Sequence, residues 1–424
     1  MKIKLFIIFL LVPTALFAQV RFDKYFKSGS LRFDFLLGGN DKNVVVYPVQ
    51  AKTEPFWGGS KVNLLDKQGY GTYRFRVFDL KSDSLIFSKG FCTLFQEWQT
   101  TAEAKKISRT FYQAAIFPFP KRKVRLDIDA RQWDGNFKNI YSTEVNPNNY
   151  FIIHESPAAY KVEKILDNGK PDKKVDIAFL AEGYTASEMD KFVNDIKRLT
   201  DYLFSVSPFK EEKNNFNLYA VETPSQESGT DIPGERIYRN TIFNSGFYTF
   251  DLPRYLTTTD MKTIYDAASV VPYDQIYVLV NTDRYGGGGF YNLVTVCSSD
   301  NALSKNVFVH EFGHGFAGLG DEYYTSTVAY ENFYNLKVEP WEPNLTTLVD
   351  FDKKWKSMIP DSVPVPTPRT PRYQNTVGVF EGGGYMNKGI YSPMEDCRMK
   401  SNESADFCKV CQKAIEEAIK LCTN

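Results

Sequence analysis

At 424 residues, with 43% hydrophobic and 24% charged residues, the chain is about the size of two domains behind a short leader, and neither half lacks material for a core. Lys plus Arg and Asp plus Glu balance at 51 each without a long run of one sign, which excludes the basic footprint of a nucleic-acid binder. Aromatics at 15% suit β-rich cores and extended clefts without choosing a ligand.

Residues 1–18 read as a signal peptide: Lys2 and Lys4 form the basic start, Leu5 to Val12 the apolar run, and Phe17-Ala18 precedes the expected cut. Pro13 breaks the run, which is shorter than the ~20 residues needed to span a bilayer, so no integral membrane segment is expected after removal. The mature protein is expected to be secreted or periplasmic.

Residues 19–160 carry short apolar runs at 43–49, 71–79, 84–95, 110–119 and 124–128, separated by turn material such as Gly38-Gly39-Asn40 and Asp134-Gly135-Asn136. This pattern predicts an N-terminal all-β sandwich. His154, near its end, reads as structural.

From residue 161 to 424 the pattern changes. The runs at 175–180, 217–221 and 275–280 are continuous enough for buried strands, and residues 187–204 and 260–268 carry helical periodicity, which together predict an α/β domain. The Pro-rich stretch at 360–371 reads as a surface loop. Four of the six cysteines, Cys397, Cys408, Cys411 and Cys422, cluster near the C-terminus. The expected compartment favours disulfides over the alternative reading of Cys408-Lys-Val-Cys411 as half a structural zinc site, and spacing leaves the pairing open.

The chemistry-bearing segment reads NVFVHEFGHGFAGLGDEY, from Asn306 to Tyr323. His310 and His314 are four apart, so on a helix they share a face at a separation one zinc ion bridges. Phe308, Phe312 and Phe316 form a stripe roughly opposite, suited to burial. Glu311 is placed to bind the metal's water: it would serve as catalytic base while a zinc-bound water attacks a carbonyl, then pass the proton to the leaving amine. Gly318 and Gly320 are expected to end the helix in left-handed conformations and turn the chain back towards the metal. Asp321 is then the first candidate for the third ligand and Glu322 the reserve. Glu331 and Glu339 suit a layout in which a distant helix supplies a glutamate, and Asp321 and Glu322 could instead cap the next segment.

The stretch resembles the M64 family of peptidases, the group that includes bacterial immunoglobulin A peptidase, on His310, Glu311, His314, Gly318, Asp321, Glu322 and Tyr323, on the run Val175-Asp176-Ile177-Ala178-Phe179-Leu180-Ala181-Glu182-Gly183-Tyr184, and on the Cys-rich C-terminus. The resemblance covers about two thirds of the chain, and the N-terminal domain is similar to the accessory domain often fused ahead of such catalytic domains. It implies a metzincin-like zinc metallopeptidase with one catalytic Zn2+ and a protein or peptide substrate; a glycoprotein is a further candidate partner. It also implies Asp321 as third ligand and a methionine turn beneath the metal at Met399, with Met394 in reserve. Gly318 stands one residue later than in the usual metzincin pattern, and Gly320 occupies the place of the third histidine.

Gly288, Gly289, Phe290 and Tyr291 are expected at a cleft-edge strand able to pair with an extended substrate. Tyr323 and Tyr391 are candidates to donate to an oxyanion. Endopeptidase action is the expected function. Two readings compete with it: an extracytoplasmic glycan- or protein-binding protein on a zinc-peptidase scaffold, and a zinc hydrolase of glycosylated or non-peptide amide substrates.

Overall fold

The computed structural model describes residues 19–324 and 333–424. The leader at 1–18 and Glu331 lie outside the described residues.

Residues 19–160 form a strand-rich region. A short helix α1 (Phe22–Tyr25) leads into β1 (Phe26–Gly39), followed by β2 (Val44–Glu54), β3 (Tyr73–Asp79), β4 (Ser84–Phe91), helix α2 (Leu94–Gln99), β5 (Arg109–Pro120), β6 (Val124–Arg131) and β7 (Phe137–Val145). They make two antiparallel sheets, one of three strands in the order β2-β1-β5 and one of four in the order β4-β3-β6-β7. Rings from the two sheets meet, with Phe75 at 6.4 Å from Phe117 and Phe33 at 6.3 Å from Tyr141.

Three details depart from the sequence expectation. The run at 84–95 divides, because Thr93, itself still extended, caps α2 with its hydroxyl, which accepts the Gln96 N–H at 3.2 Å. Strand β1 shows no clean alternation because it buries Arg32 and Asp34, which pair at 2.9 Å. Strand β7 is largely exposed and polar, which hides it.

The second region holds a six-stranded mixed sheet built from β8 (Lys161–Leu166), β9 (Val175–Glu182), β10 (Phe216–Glu222), β11 (Gln275–Val280), β12 (Gly287–Phe290) and β13 (Val294–Ser298). Its order is β12-β13-β11-β9-β10-β8, with the four central strands parallel and both edge strands antiparallel. Helices α3 (Met189–Leu203), α4 (Phe209–Glu212), α5 (Met261–Ala268), α6 (Ser304–Ala317) and α7 (Lys409–Thr423) complete it, with a hairpin of β14 (Phe380–Gly383) and β15 (Met386–Ser392) ahead of α7.

Strand β9 explains why the sheet reads as continuously apolar. Ile177, Phe179 and Ala181 feed a core shared with α3, α6 and α7, while Ala178 and Leu180 feed a core that continues without a break into the strand-rich region. Polar ties reinforce that junction: Asp266 pairs with Arg32 at 2.6 Å and Lys52 at 2.9 Å, and the Cys92 N–H donates to the Tyr291 carbonyl at 2.9 Å. At the end of β9, the fully buried Glu182 accepts from Thr241 Oγ1 at 2.7 Å, Phe243 N at 2.9 Å and Ser245 N at 2.8 Å. It thereby anchors the loop that continues to Arg254 and Tyr255 beside the cleft.

All six cysteines are free thiols, contrary to the disulfides expected from the compartment. Cys422 lies eleven residues beyond Cys411 on α7, ~16 Å along the helix, out of reach of the cluster at its start. No helix among the described residues is long and apolar enough to cross a membrane.

Candidate metal centre

Helix α6 is anchored from below. Phe308, Phe312 and Phe316 are buried, Phe308 stacks on Tyr277 at 4.3 Å, and Phe312 stacks on Phe316 at 5.1 Å. The opposite face presents His310, Glu311 and His314 to a cavity of about 850 Å³.

Each imidazole is held by a backbone carbonyl. His310 Nδ1 lies 3.0 Å from the Arg398 oxygen and His314 Nδ1 lies 2.5 Å from the Leu319 oxygen. A carbonyl can only accept, so each Nδ1 carries a proton, and in the neutral ring, the form that binds a metal, each Nε2 keeps its lone pair. The two Nε2 atoms are 3.1 Å apart.

Gly318 closes the helix at φ +65°, with its N–H on the His314 carbonyl and the Leu319 N–H on the Gly313 carbonyl. Gly320 does not share that conformation, contrary to the sequence expectation. Its backbone N–H and C=O are clasped by the Asn344 side chain at 2.7 and 2.8 Å. The turn returns Asp321 to the histidines, with Oδ1 at 3.1 Å from His310 Nε2 and 3.3 Å from His314 Nε2. Tyr385 donates its hydroxyl to the other carboxylate oxygen.

With both imidazoles neutral, three lone-pair atoms converge with no donor among them, and Asp321 Oδ1 finds no other partner. This N2O set fits zinc, which binds imidazole nitrogen and carboxylate oxygen at ~2.0–2.2 Å. In the metal-free chain a proton competes for the same lone pairs. Burial disfavours a charged His314, yet the Asp321 carboxylate overrides it and pushes the imidazole up to about 9. Asp321 is held far below the usual carboxylate range, its burial outweighed by the two imidazoles. Glu311 moves the other way, raised by burial although both histidines oppose the shift.

The cavity has walls from both regions. Tyr73, Glu97, Arg131 and Trp133 come from the strand-rich region; Arg254, Tyr255, Tyr334, Trp341 and Tyr385 come from the loops around the sheet. Burial lifts Glu97 to about 7 against the hydrogen bond it accepts from the Tyr255 hydroxyl. Along one side runs β12, the terminal strand of the sheet. Three glycines of the run form most of this strand, which pairs with β13 as a hairpin from Gly287 with Cys297 to Phe290 with Val294. Gly289 is needed for the close approach, since a Cβ there would lie 2.3 Å from the Glu311 carbonyl oxygen. Tyr291 falls in the turn beyond β12, and its carbonyl is occupied by the Cys92 N–H.

The remaining candidates are distributed as follows. Glu322 points away from the histidines, with Oε1 2.9 Å from Asn344 Nδ2 and 3.1 Å from Cys411 Sγ. Glu339 binds the Thr347 hydroxyl and the Asp350 N–H. Met399 is fully buried beneath α6, its Sδ 3.0 Å from where a Cβ on Gly313 would stand, and its carbonyl accepts the Glu322 N–H at 2.8 Å. Met394 is partly buried in the same core. Tyr323 lines the cleft and packs on Tyr385 at 5.4 Å; Tyr391 is absent from the lining and pairs its backbone with Thr346. His154 is exposed, 3.4 Å from the Thr53 hydroxyl. Tyr385 and Glu97 escaped the sequence reading, and only the Gly382-Gly383-Gly384 run before Tyr385 hinted at a tight turn.

Comparison with known families matches residues 163–372 and 369–419 to IgA Peptidase M64, and residues 21–142 to Peptidase M64 N-terminus. A search of curated proteins found no match. With both parts of the chain matched in order, the chain belongs to the IgA Peptidase M64 family, a family of peptidases.

Proposed function

We propose that the chain is a secreted zinc-dependent endopeptidase that hydrolyses peptide bonds in the cleft above α6. What carries this reading is the convergence of His310 Nε2, His314 Nε2 and Asp321 Oδ1 beside Glu311 on the floor of a cavity of about 850 Å³. His310, His314 and Asp321 would hold the metal. Zinc bound there supplies Lewis-acid polarisation of a carbonyl and lowers the pKa of water.

The chain's own groups do the rest. Glu311, raised by its burial, is suited to take a proton from the attacking water and deliver it to the leaving amine. Tyr323, at the cleft, is suited to donate to the oxyanion. The backbone of Gly288, Gly289 and Phe290, on the sheet's terminal strand, offers an extended substrate an edge to pair with. Met399 packs under the helix as the methionine of a metzincin-like turn. We further assign residues 19–160 to a β-sandwich and 161–424 to the metzincin-like peptidase domain, with export directed by residues 1–18. The family matches support this division, since they leave 143–162 between them.

The test is Glu311→Gln, assayed by mass spectrometry on a library of denatured proteins. Turnover should fall roughly 100- to 10,000-fold, the range for losing a positioned proton-transfer group, with zinc content unchanged. Undiminished cleavage would sink the mechanism.

A further inference from the structure

Beyond the cleft, a second set of ligand atoms gathers beneath it. Glu322, Cys397, Cys408 and Cys411 each offer one atom, and the four atoms lie within 4.8 Å of one another. All four residues are buried, at 0, 0, 4 and 0% exposure. Cys397 Sγ is 3.8 Å from Cys411 Sγ, and Glu322 Oε1 is 3.1 Å from Cys411 Sγ and 3.9 Å from Cys408 Sγ. Thiolates bound at ~2.3 Å around one tetrahedral zinc stand ~3.8 Å apart, so the set is spaced for a single ion.

Three observations point to a cation and away from a plain thiol core. Glu322 Oε2 is buried without a partner, and a carboxylate is not otherwise placed among three sulfurs. Three cysteines cannot all pair with one another, and the fourth nearby in sequence, Cys422, is out of reach on α7. The thiols also sit where thiolates are favoured: Cys408 caps α7 and Cys411 lies in its first turn, at the positive end of the helix, and the Cys408 N–H approaches Cys397 Sγ at 3.2 Å.

We propose that Glu322, Cys397, Cys408 and Cys411 form a closed structural zinc site that holds the catalytic centre together. The linkage is through the backbone. Glu322 is the peptide neighbour of Asp321, and Cys397 precedes Arg398, whose carbonyl orients His310, and Met399, whose carbonyl accepts the Glu322 N–H. One ion at the thiolates therefore pins the chain segment carrying the third cleft ligand to the segment that fixes the first. This explains why Asp-Glu stands as a pair: the two carboxylates face two different sites.

The inference does not depend on peptidase activity, and the experiment separates the two. Zinc is counted by plasma and native mass spectrometry on the purified chain, and again on the His310→Ala/His314→Ala double variant. Two zinc ions in the parent and one in the double variant are expected. Replacing that retained ion with Co2+ should give a thiolate-to-cobalt charge-transfer band, lost in Cys408→Ser. One zinc in the parent and none in the double variant would overturn the proposal, as would an intact mass lowered by two hydrogens with Cys397 in a disulfide. One thiolate-bound ion in both proteins would leave this site standing and remove the cleft site instead. If Cys408→Ser does not fold, the parent and the double variant still decide.

Discussion

Two ligand sets stand on either side of the Asp321-Glu322 peptide, and they differ in exposure and in donor atoms. The cleft set is nitrogen and oxygen, with the His310 and His314 side chains 12 and 16% exposed beside a cavity of about 850 Å³. The lower set is mainly sulfur and almost fully buried. An ion with three protein ligands and an open position can meet a substrate, whereas one with four protein ligands can only hold the fold. The adjacent carboxylates diverge to serve both, Asp321 Oδ1 lying beside the two histidines and Glu322 Oε1 beside Cys411.

The largest expected effect breaks the comparison on the open side: Glu311→Gln should cost turnover roughly 100- to 10,000-fold with thermal stability retained, measured by kinetics and calorimetry. On the closed side Cys408→Ser should do the reverse, lowering unfolding free energy by about 4 kcal/mol or more, the exceptional range that accompanies loss of a bound metal. Denaturant unfolding with and without chelator checks it, and equal midpoints for variant and parent would remove the distinction between the sites.

Tyr385→Phe is a milder perturbation of the open set. It removes the hydroxyl that orients Asp321, so zinc affinity or turnover at the cleft should fall roughly 10- to 100-fold. Chelator competition followed by residual turnover measures this.

The pH response sharpens the contrast further. In the metal-free chain the charged form of His314, raised from 6.5 to about 9 by Asp321 against its burial, adds stability that is fully present below about 6.5 and lost as pH rises through about 9. Zinc requires the neutral imidazole, so this proton competes with it. Affinity at the cleft should climb roughly tenfold per pH unit up to about 9 and then flatten, while Asp321 stays ionised throughout. The smallest effect is that of Gly318→Ala, which forces a side chain into the left-handed region and should cost about 1 kcal/mol by thermal unfolding.

The cleft set was legible because His310, Glu311 and His314 lie within one helical turn, where spacing alone brings them together. Buried strands β9, β10 and β11 were legible for a similar reason, each being a short run dominated by apolar residues. Strand β1 was hidden by Arg32 and Asp34, whose burial makes sense only once Asp266 and Glu54 come to meet them from elsewhere in the chain. Glu322 looked like a reserve ligand for the cleft because its neighbourhood in sequence is the histidine motif. Its neighbourhood in space is Cys397, Cys408 and Cys411.

Sequence by itself determined what local geometry can express: the helix with its paired histidines, the glycine turn that follows it, the parallel-strand runs and membership of the peptidase family. Tertiary structure alone decided which carboxylate faces which ligand set, which tyrosine reaches Asp321, and that the strand-rich region walls the cleft with Glu97 and Arg131. The reason is physical. Contacts between neighbours follow from backbone periodicity, whereas those between residue 97 and residue 255, or 322 and 411, exist only after two cores have packed against opposite faces of one sheet.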